Sequence, residues 1–197
     1  MAIRFATEPQ NGSETVRAGL DRLAVRENKP PALRALNFSA LTVTPPHAIY
    51  DLHADEIAKG GGLETAHATG FRYYVAATGA SVAAAEVHTD ASGKASLLAN
   101  LNYGPFVEAT SKGFTQVATL PSVSKGSYEA RALRFSAIGL MAIWLKSDPG
   151  GTDIIYPLAP APPMLEANRS YTAEEFLTAI RPLAQKRAAN TETAAVP

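Results

Sequence analysis

The clearest pattern along this chain is an alternation of apolar and polar residues with a period of two. It runs through three short stretches that are separated by turn-forming residues: 71–78, 81–89 and 95–103. Such alternation is typical of strands that bury one face and expose the other. The three stretches therefore predict an antiparallel meander.

A definite register follows if a three-residue loop at 79–81 joins the first two strands. One face of the sheet then becomes entirely apolar, and its cross-strand pairs are Tyr73 with Val87, Val75 with Ala85, and Ala77 with Ala83. A slip of one residue would mix apolar and polar side chains on that face. The opposite face, which carries Glu86 and His88, is predicted to lie outside the packed interior.

Helical periodicity marks three further segments of the chain: 13–27, 106–120 and 172–186. In each of them, apolar residues recur at the spacing that places them on one side of a helix. The last segment begins with a capping box, in which Thr172 is followed three residues later by Glu175. Pro182 is predicted to kink or end this helix, because proline lacks the amide hydrogen that a helix interior uses.

Two apolar runs in the second half of the chain predict further strands. The run at 137–145 is apolar at odd and even positions alike, which is expected of a strand covered on both faces. Residues 153–158 follow a turn-rich loop and predict a last strand. Together these elements predict an α+β fold: an antiparallel sheet of five or six strands, arranged as meander, helix and meander, with helices packed mainly on one face. Barrel-like closure around the helix at 106–120 is the alternative.

Two proline pairs interrupt the N-terminal part of the chain, at 30–31 and 45–46. Proline cannot donate a backbone hydrogen bond, so two such breaks disfavour a regular sheet in this region. We therefore predict three parts: an N-terminal arm with one amphipathic helix over 1–46, a single α+β domain over 47–187, and a disordered tail over 188–197.

Composition narrows the classes of partner and of chemistry. Eighteen basic residues balance eighteen acidic ones, so no net charge attracts the chain to nucleic acid or to an anionic membrane. The chain has no cysteine, which excludes disulfides, thiolate nucleophiles and cysteine-ligated zinc. Its longest apolar run, 137–145, is shorter than the about 20 residues that span a bilayer. We expect a cytoplasmic protein without a cofactor.

The stretch "HAIYDLHADEIAKGGG" at 47–62 offers four metal-ligand types: His47, Asp51, His53 and Asp55. Their spacing matches no common metal motif, because Asp51 and Asp55 would share one face of a helix while His53 points away. The other interpretation is a helix with Asp51 as its N-cap and Gly60 as its C-terminal cap. We expect the helix boundaries rather than a metal site.

The polar face of the meander offers a second group of candidate residues. In the register given above, Arg72 lies opposite His88 and Tyr74 lies opposite Glu86, with Asn100 nearby on the third strand. On a concave face these side chains would converge on a small ligand, and Glu86 with His88 could transfer protons. The alternative is an ordinary solvated face with weak cross-strand pairs.

Three classes of function therefore stay open, and no motif identifies one of them. The first is a non-catalytic binding or assembly module that acts through a surface, as a homodimer or with a protein partner. The second is a small-molecule-binding domain or enzyme that uses Arg72, Tyr74, Glu86 and His88. The third is a metal-dependent hydrolase built around His47, Asp51, His53 and Asp55. We expect the first, and we do not expect an enzyme.

Overall fold

The computed structural model describes residues 3–29 and 31–194, and it folds them into an α+β structure with one ten-stranded sheet. The strands are β1 (Ile3–Phe5), β2 (Thr42–Val43), β3 (His47–Asp51), β4 (His67–Ala77), β5 (Ala80–Thr89), β6 (Ala95–Asn102), β7 (Tyr128–Phe135), β8 (Leu140–Ser147), β9 (Ile154–Pro157) and β10 (Tyr171–Thr172). The α-helices of this part of the chain are α1 (Gly12–Ala24), α2 (Ala54–Ala58), α3 (Pro105–Ala118), α4 (Pro121–Ser124) and α5 (Ala173–Ala194).

The prediction of five or six antiparallel strands is wrong. The strand order is β10-β9-β8-β7-β3-β4-β5-β6, with β1 and β2 attached to β7 and β4. Both β1 and β3 pair with β7 in the parallel sense, whereas the other pairings are antiparallel. Strands β1, β2 and β10 contain two or three residues each, too few to show a periodicity. Strand β3 joins the two halves of the sheet, whereas the sequence predicts a helix that begins at Asp51, its last residue.

Helices cover both faces of the sheet, so the prediction of helices mainly on one face is also wrong. Helix α1 packs on the first face through Val16 and Leu20, and α5 packs further along the same face through Phe176 and Ile180. Helix α3 packs on the second face. Periodicity reveals that a helix has an apolar side, but it does not reveal which face of a sheet that side will cover.

The sheet curves around α3. Two adjacent residues of this helix, Thr110 and Ser111, contact Met141 of β8 and Ser81 of β5. Strands β7, β3 and β4 lie between β8 and β5, so these two strands can meet one turn of helix only if the sheet bends. The sheet stays open, with β6 and β10 at the two ends of its strand order. Its concave face is therefore the one that α3 fills.

Helix α3 confirms the prediction of a helix at 106–120 and lies unusually close to the sheet. A Cβ atom on Gly113 would stand 2.7 Å from Leu158 Cδ2 and 2.8 Å from Ile143 Cδ1, which is closer than normal packing allows. Glycine at this position therefore lets the helix backbone approach β8. This close approach leaves little room between α3 and the side chains on the concave face.

The predicted meander is present as β4, β5 and β6, but its register is displaced by two residues. Tyr73 lies opposite Ala85 and Val75 opposite Ala83. The turn contains only Thr78 and Gly79, whose φ angles of 49° and 84° are those of a tight two-residue hairpin, and a bulge follows at Val75. Because threonine rarely adopts positive φ, the sequence does not predict a turn at Thr78. A displacement by two preserves the apolar face of β4 and β5, so the predicted parity of these two strands is correct. In β6 the predicted parity fails at Leu97, which lies opposite His88 after a bulge and is exposed.

The capping box predicted for the last helix is confirmed. The backbone amide of Thr172 donates to Glu175 Oε2 at 2.8 Å, and the amide of Glu175 donates to Thr172 Oγ1 at 3.2 Å. Pro182 lies inside α5 and does not end it. The helix continues to Ala194 and thus into the segment predicted as a tail, whose residues 195–197 lie outside the described part of the chain.

Candidate functional site

The concave face holds a cluster of polar side chains from five neighbouring strands, which we call the polar cluster: His47 and Asp51 on β3, Arg72 and Tyr74 on β4, Glu86 on β5, Asn102 on β6 and Arg134 on β7. The register brings them together, because His47 pairs with Arg72, Arg72 with Glu86, and Asp51 with Arg134. The residues thus form a continuous polar band across the sheet beneath α3.

Glu86 is the centre of the polar cluster and is 6% exposed. Its Oε1 accepts hydrogen bonds from Arg72 Nη1 at 3.2 Å and from Asn102 Nδ2 at 2.8 Å. Its Oε2 accepts one from Arg134 Nη1 at 3.2 Å. Both carboxylate oxygens of Glu86 are therefore engaged, and two of the three donors are cationic.

Arg134 continues the cluster towards solvent. Its Nε and Nη2 donate to the two carboxylate oxygens of Asp51 at 2.6 and 2.9 Å, which is the bidentate geometry that suits a guanidinium. The hydrogen bond to Asp51, opposed by burial and supported by the charge of Glu86, raises the pKa of Arg134 above its ordinary value. Two cations and two carboxylates alternate along the band, so the cluster is neutral overall.

His47 is enclosed between aromatic rings and is 1% exposed. Its ring lies 5.2 Å from that of Tyr74 and 4.8 Å from that of Phe114, measured between centroids. Burial, assisted by the nearby charge of Arg72, lowers the pKa of His47 to about 3. The imidazole is therefore neutral at physiological pH, and a base this weak is poorly suited to proton transfer near pH 7.

Three buried polar atoms of the cluster have no hydrogen-bond partner among the described residues: His47 Nε2, Arg72 Nε and the Tyr74 hydroxyl. Burial also raises the pKa of Tyr74. Each unpaired group of this kind costs about 1–3 kcal/mol of desolvation free energy. The unpaired atoms of the cluster therefore place polarity in the core at a cost in stability.

The structure brings together three of the residues predicted for the polar sheet face: Arg72, Tyr74 and Glu86. The prediction that this face lies outside the packed interior is wrong for them, because α3 covers it. His88 is exposed and lies opposite Leu97, away from the cluster. Asn100 lies opposite Glu86 but its side chain is exposed, and Asn102 makes the hydrogen bond instead.

Sequence reasoning missed Arg134 and the contribution of Asn102. One signal for Arg134 was present, because it shares its strand parity with Ala130 and Ala132, both of which are fully buried. A charged residue at a position of that parity needs a partner in the interior. The partner, Asp51, belongs to the strand that the sequence pattern did not reveal.

The four candidate metal ligands at 47–62 are not gathered around one point. His47 and Asp51 belong to the polar cluster, whereas the ring of His53 packs edge-on against His67 at 5.0 Å. Asp51 is not the predicted N-cap, because it ends β3 and α2 begins at Ala54. Across residues 3–29 and 31–194, no three histidine, cysteine or acidic side chains form a group that could hold a metal ion.

The outer edge of β6, which we call the β6 edge, lies at one end of the sheet. Within the described chain, β6 is the last strand of the sheet. At its start, Gln10 forms a bridge with Lys94 and accepts the Ala95 amide at 2.8 Å. The strand carries no charged side chain. Leu97 on it is 53% exposed, and Tyr103 directly after it is 48% exposed.

A groove of about 400 Å³ runs along the β6 edge between the strand and α1. Arg22, Leu23 and Arg26 form its helix side, and residues 97–101 form its strand side. Leu98 packs so closely against Gly19 that a Cβ atom there would lie 2.3 Å from Leu98 Cδ2. This contact places α1 directly against the strand.

Comparison of the chain with known protein families, with curated proteins and with solved structures finds no match. A search of helices in residues 3–29 and 31–194 finds none that combines the length and the apolar character needed to cross a bilayer. The geometry of the polar cluster and of the β6 edge is thus the basis for a functional proposal.

Proposed function

We propose that this protein is a non-catalytic assembly module that forms a homodimer through the β6 edge. The observation that carries the proposal is the edge strand β6, which has no charged side chain and an exposed Leu97, and whose residues 96–102 have no outer strand partner in the described part of the chain. Natural sheets commonly protect such edges with lysine, proline or a covering segment. An edge without that protection is suited to pairing with another strand.

A second copy of the chain is the partner that satisfies this edge most simply. Two copies of β6 related by a two-fold axis run antiparallel, so each strand offers the other its free amide and carbonyl groups. No like charges on the strands oppose this approach, because residues 95–102 are all uncharged. In the dimer, part of the exposed apolar surface of Leu97 would be removed from contact with water, which favours association.

The polar cluster supports a non-catalytic role over the enzymatic alternative. Glu86, the acidic group proposed for proton transfer, already accepts three hydrogen bonds from neighbouring side chains. His88, the proposed partner of Glu86, is exposed elsewhere on the sheet. The cluster is better explained as a buried polar element that fixes the register of β3, β4, β5 and β7. Cytoplasmic location stays a prediction from the sequence.

Sedimentation velocity tests the proposal with one pair of variants. We expect the wild-type chain to sediment as a dimer at micromolar concentration, and we expect Leu97→Lys to sediment as a monomer, because a charged side chain at an edge strand opposes pairing. Met164→Lys is the matched control, since Met164 is also a partly exposed apolar residue but lies in a loop far along the chain. This control should remain dimeric.

A monomeric wild-type chain at high concentration would contradict the proposal. So would a Leu97→Lys variant that stays dimeric, because the dimer would then use another surface. Circular dichroism of both variants establishes that they keep the fold, which separates loss of pairing from loss of structure.

A further inference from the structure

The convex face of the sheet contains a cleft of about 390 Å³ that is separate from the polar cluster and from the β6 edge. Tyr50 of β3, Arg131 of β7, and Trp144 and Lys146 of β8 form its floor. Its walls come from the start of α5 and from the segment before β4. They carry one acidic residue, Glu64, whose exposed side chain accepts the Gly62 amide at 2.8 Å, and are otherwise apolar: Leu63, Ala66, Ala173 and Leu177. A cavity of this size, apolar with a few fixed polar groups, is typical of a small-molecule site.

Arg131 is held rigidly in this cleft. Its guanidinium carbon lies 4.4 Å from the centre of the Tyr50 ring and 4.7 Å from the centre of the Trp144 ring. Its Nε donates to Glu129 at 2.6 Å. Cation–π contacts with two rings and one hydrogen bond restrict the rotation of the side chain. The planar group is therefore fixed before any ligand arrives.

The two terminal nitrogens of Arg131 have no protein acceptor in the described part of the chain. No carboxylate other than Glu129 lies within ion-pair distance of this guanidinium among the same residues. A guanidinium presents paired N–H groups with the spacing of a carboxylate, so two such free nitrogens form a ready bidentate donor. The side chain is 17% exposed, which leaves a narrow route for an acceptor.

The other charged groups of the cleft floor are already engaged with one another. Asp153 accepts hydrogen bonds from Trp144 Nε1 at 2.8 Å and from the Ser147 amide at 2.9 Å, and it pairs with Lys146 at 3.2 Å. Burial opposes ionisation of Asp153, but these donors together hold the pKa of Asp153 below its ordinary value. Asp153 therefore interacts with Lys146, Trp144 and the Ser147 amide, and the terminal nitrogens of Arg131 stay available to a ligand.

We propose that this cleft binds a small organic carboxylate that carries an apolar or aromatic body. The terminal nitrogens of Arg131 would receive the carboxylate, and the rings of Tyr50 and Trp144 with the side chain of Leu177 would contact the body. Binding of this kind needs no catalytic group and adds a ligand site to an assembly module.

The experiment uses benzoate as the probe and benzamide as its uncharged counterpart of nearly the same shape. Trp144 is the only tryptophan of the chain, so its fluorescence and its indole N–H resonance both report on the floor of the cleft. We expect benzoate to shift both signals saturably. We expect benzamide to bind at least about tenfold more weakly, because it offers no charge-assisted bidentate acceptor.

Two variants connect the response to Arg131. Arg131→Gln is expected to weaken benzoate binding by about tenfold or more and to remove the preference over benzamide. Arg169→Gln is the control, because Arg169 also stacks on an aromatic ring, that of Tyr171 at 5.0 Å, but lies outside the cleft. It should bind benzoate as the wild type does.

Three results would overturn the proposal: no saturable shift in the wild type, equal affinity for benzoate and benzamide, or unchanged benzoate affinity in Arg131→Gln. If Arg131→Gln does not fold, the comparison of the two probes on the wild-type chain decides the matter without it. A change in fluorescence that is not accompanied by a shift of the indole N–H resonance would also contradict binding in the cleft.

Discussion

Replacing Glu86 with leucine is expected to lower the free energy of unfolding by about 3–5 kcal/mol, the usual cost of removing one partner from a buried ion pair. The carboxylate of Glu86 pairs with Arg72, which is 2% exposed and has no other acidic partner among the described residues. Without it, the guanidinium of Arg72 stays in the interior as an uncompensated charge. Urea denaturation of the wild type and the variant measures the difference.

The double variant Arg72→Met with Glu86→Leu provides the matched control for this result. It removes one positive and one negative charge together, and Arg134 keeps its bidentate contact with Asp51. We expect the double variant to be more stable than Glu86→Leu alone, because no buried charge is left without a partner. If the loss in free energy of unfolding of the double variant equalled the sum of the losses of the two single variants, the network described here would be contradicted.

Replacing His47 with phenylalanine is expected to flatten the loss of stability in acid. The native pKa of His47 is lowered to about 3, whereas an unfolded histidine has a pKa near 6.5. Both states are neutral above that value, so the full stability is present there. As the pH falls through the interval between these pKa values, the unfolded chain binds a proton that native His47 does not, and the wild type loses about 1.4 kcal/mol per pH unit.

The measurement compares unfolding free energies of both proteins across the acid range. Between about pH 6.5 and pH 5, the wild type should lose roughly 2 kcal/mol relative to His47→Phe. Phenylalanine suits the site because Tyr74 and Phe114 already enclose the ring. Tyr74→Phe is the control, since burial raises the pKa of Tyr74 and moves it further from the acid range. Its curve should run parallel to that of the wild type, and a parallel curve for His47→Phe would refute the assignment.

Periodicity and local signals predicted the elements whose determinants lie within one segment. Strands β4 and β5 keep the apolar parity inferred from Tyr73 and Val75, and the Thr172–Glu175 capping box forms as expected. The register was displaced because it depends on the turn, and Thr78 adopts the positive φ that a sequence pattern assigns to glycine or asparagine.

The candidate site required information that no single segment contains. The polar side chains on one face of β4 and β5 are typical of a solvent-exposed face, but α3 covers them. The position of α3 depends on Gly113 and on the curvature of the whole sheet. Likewise, Asp51 looks like a helix cap because the strand that it ends has only five residues. Its partner Arg134 lies 83 positions away in the chain. Such long-range pairing is set by topology rather than by spacing.

Hydrogen exchange of the β6 backbone amides at low and at high protein concentration tests the proposed assembly most directly. We predict that amides in residues 96–102 that face away from β5 become protected as the concentration rises, while amides of β9 exchange at the same rate throughout. Rates at the β6 edge that do not depend on concentration would contradict assembly through this strand. Protection that arises with concentration on another surface would do so as well.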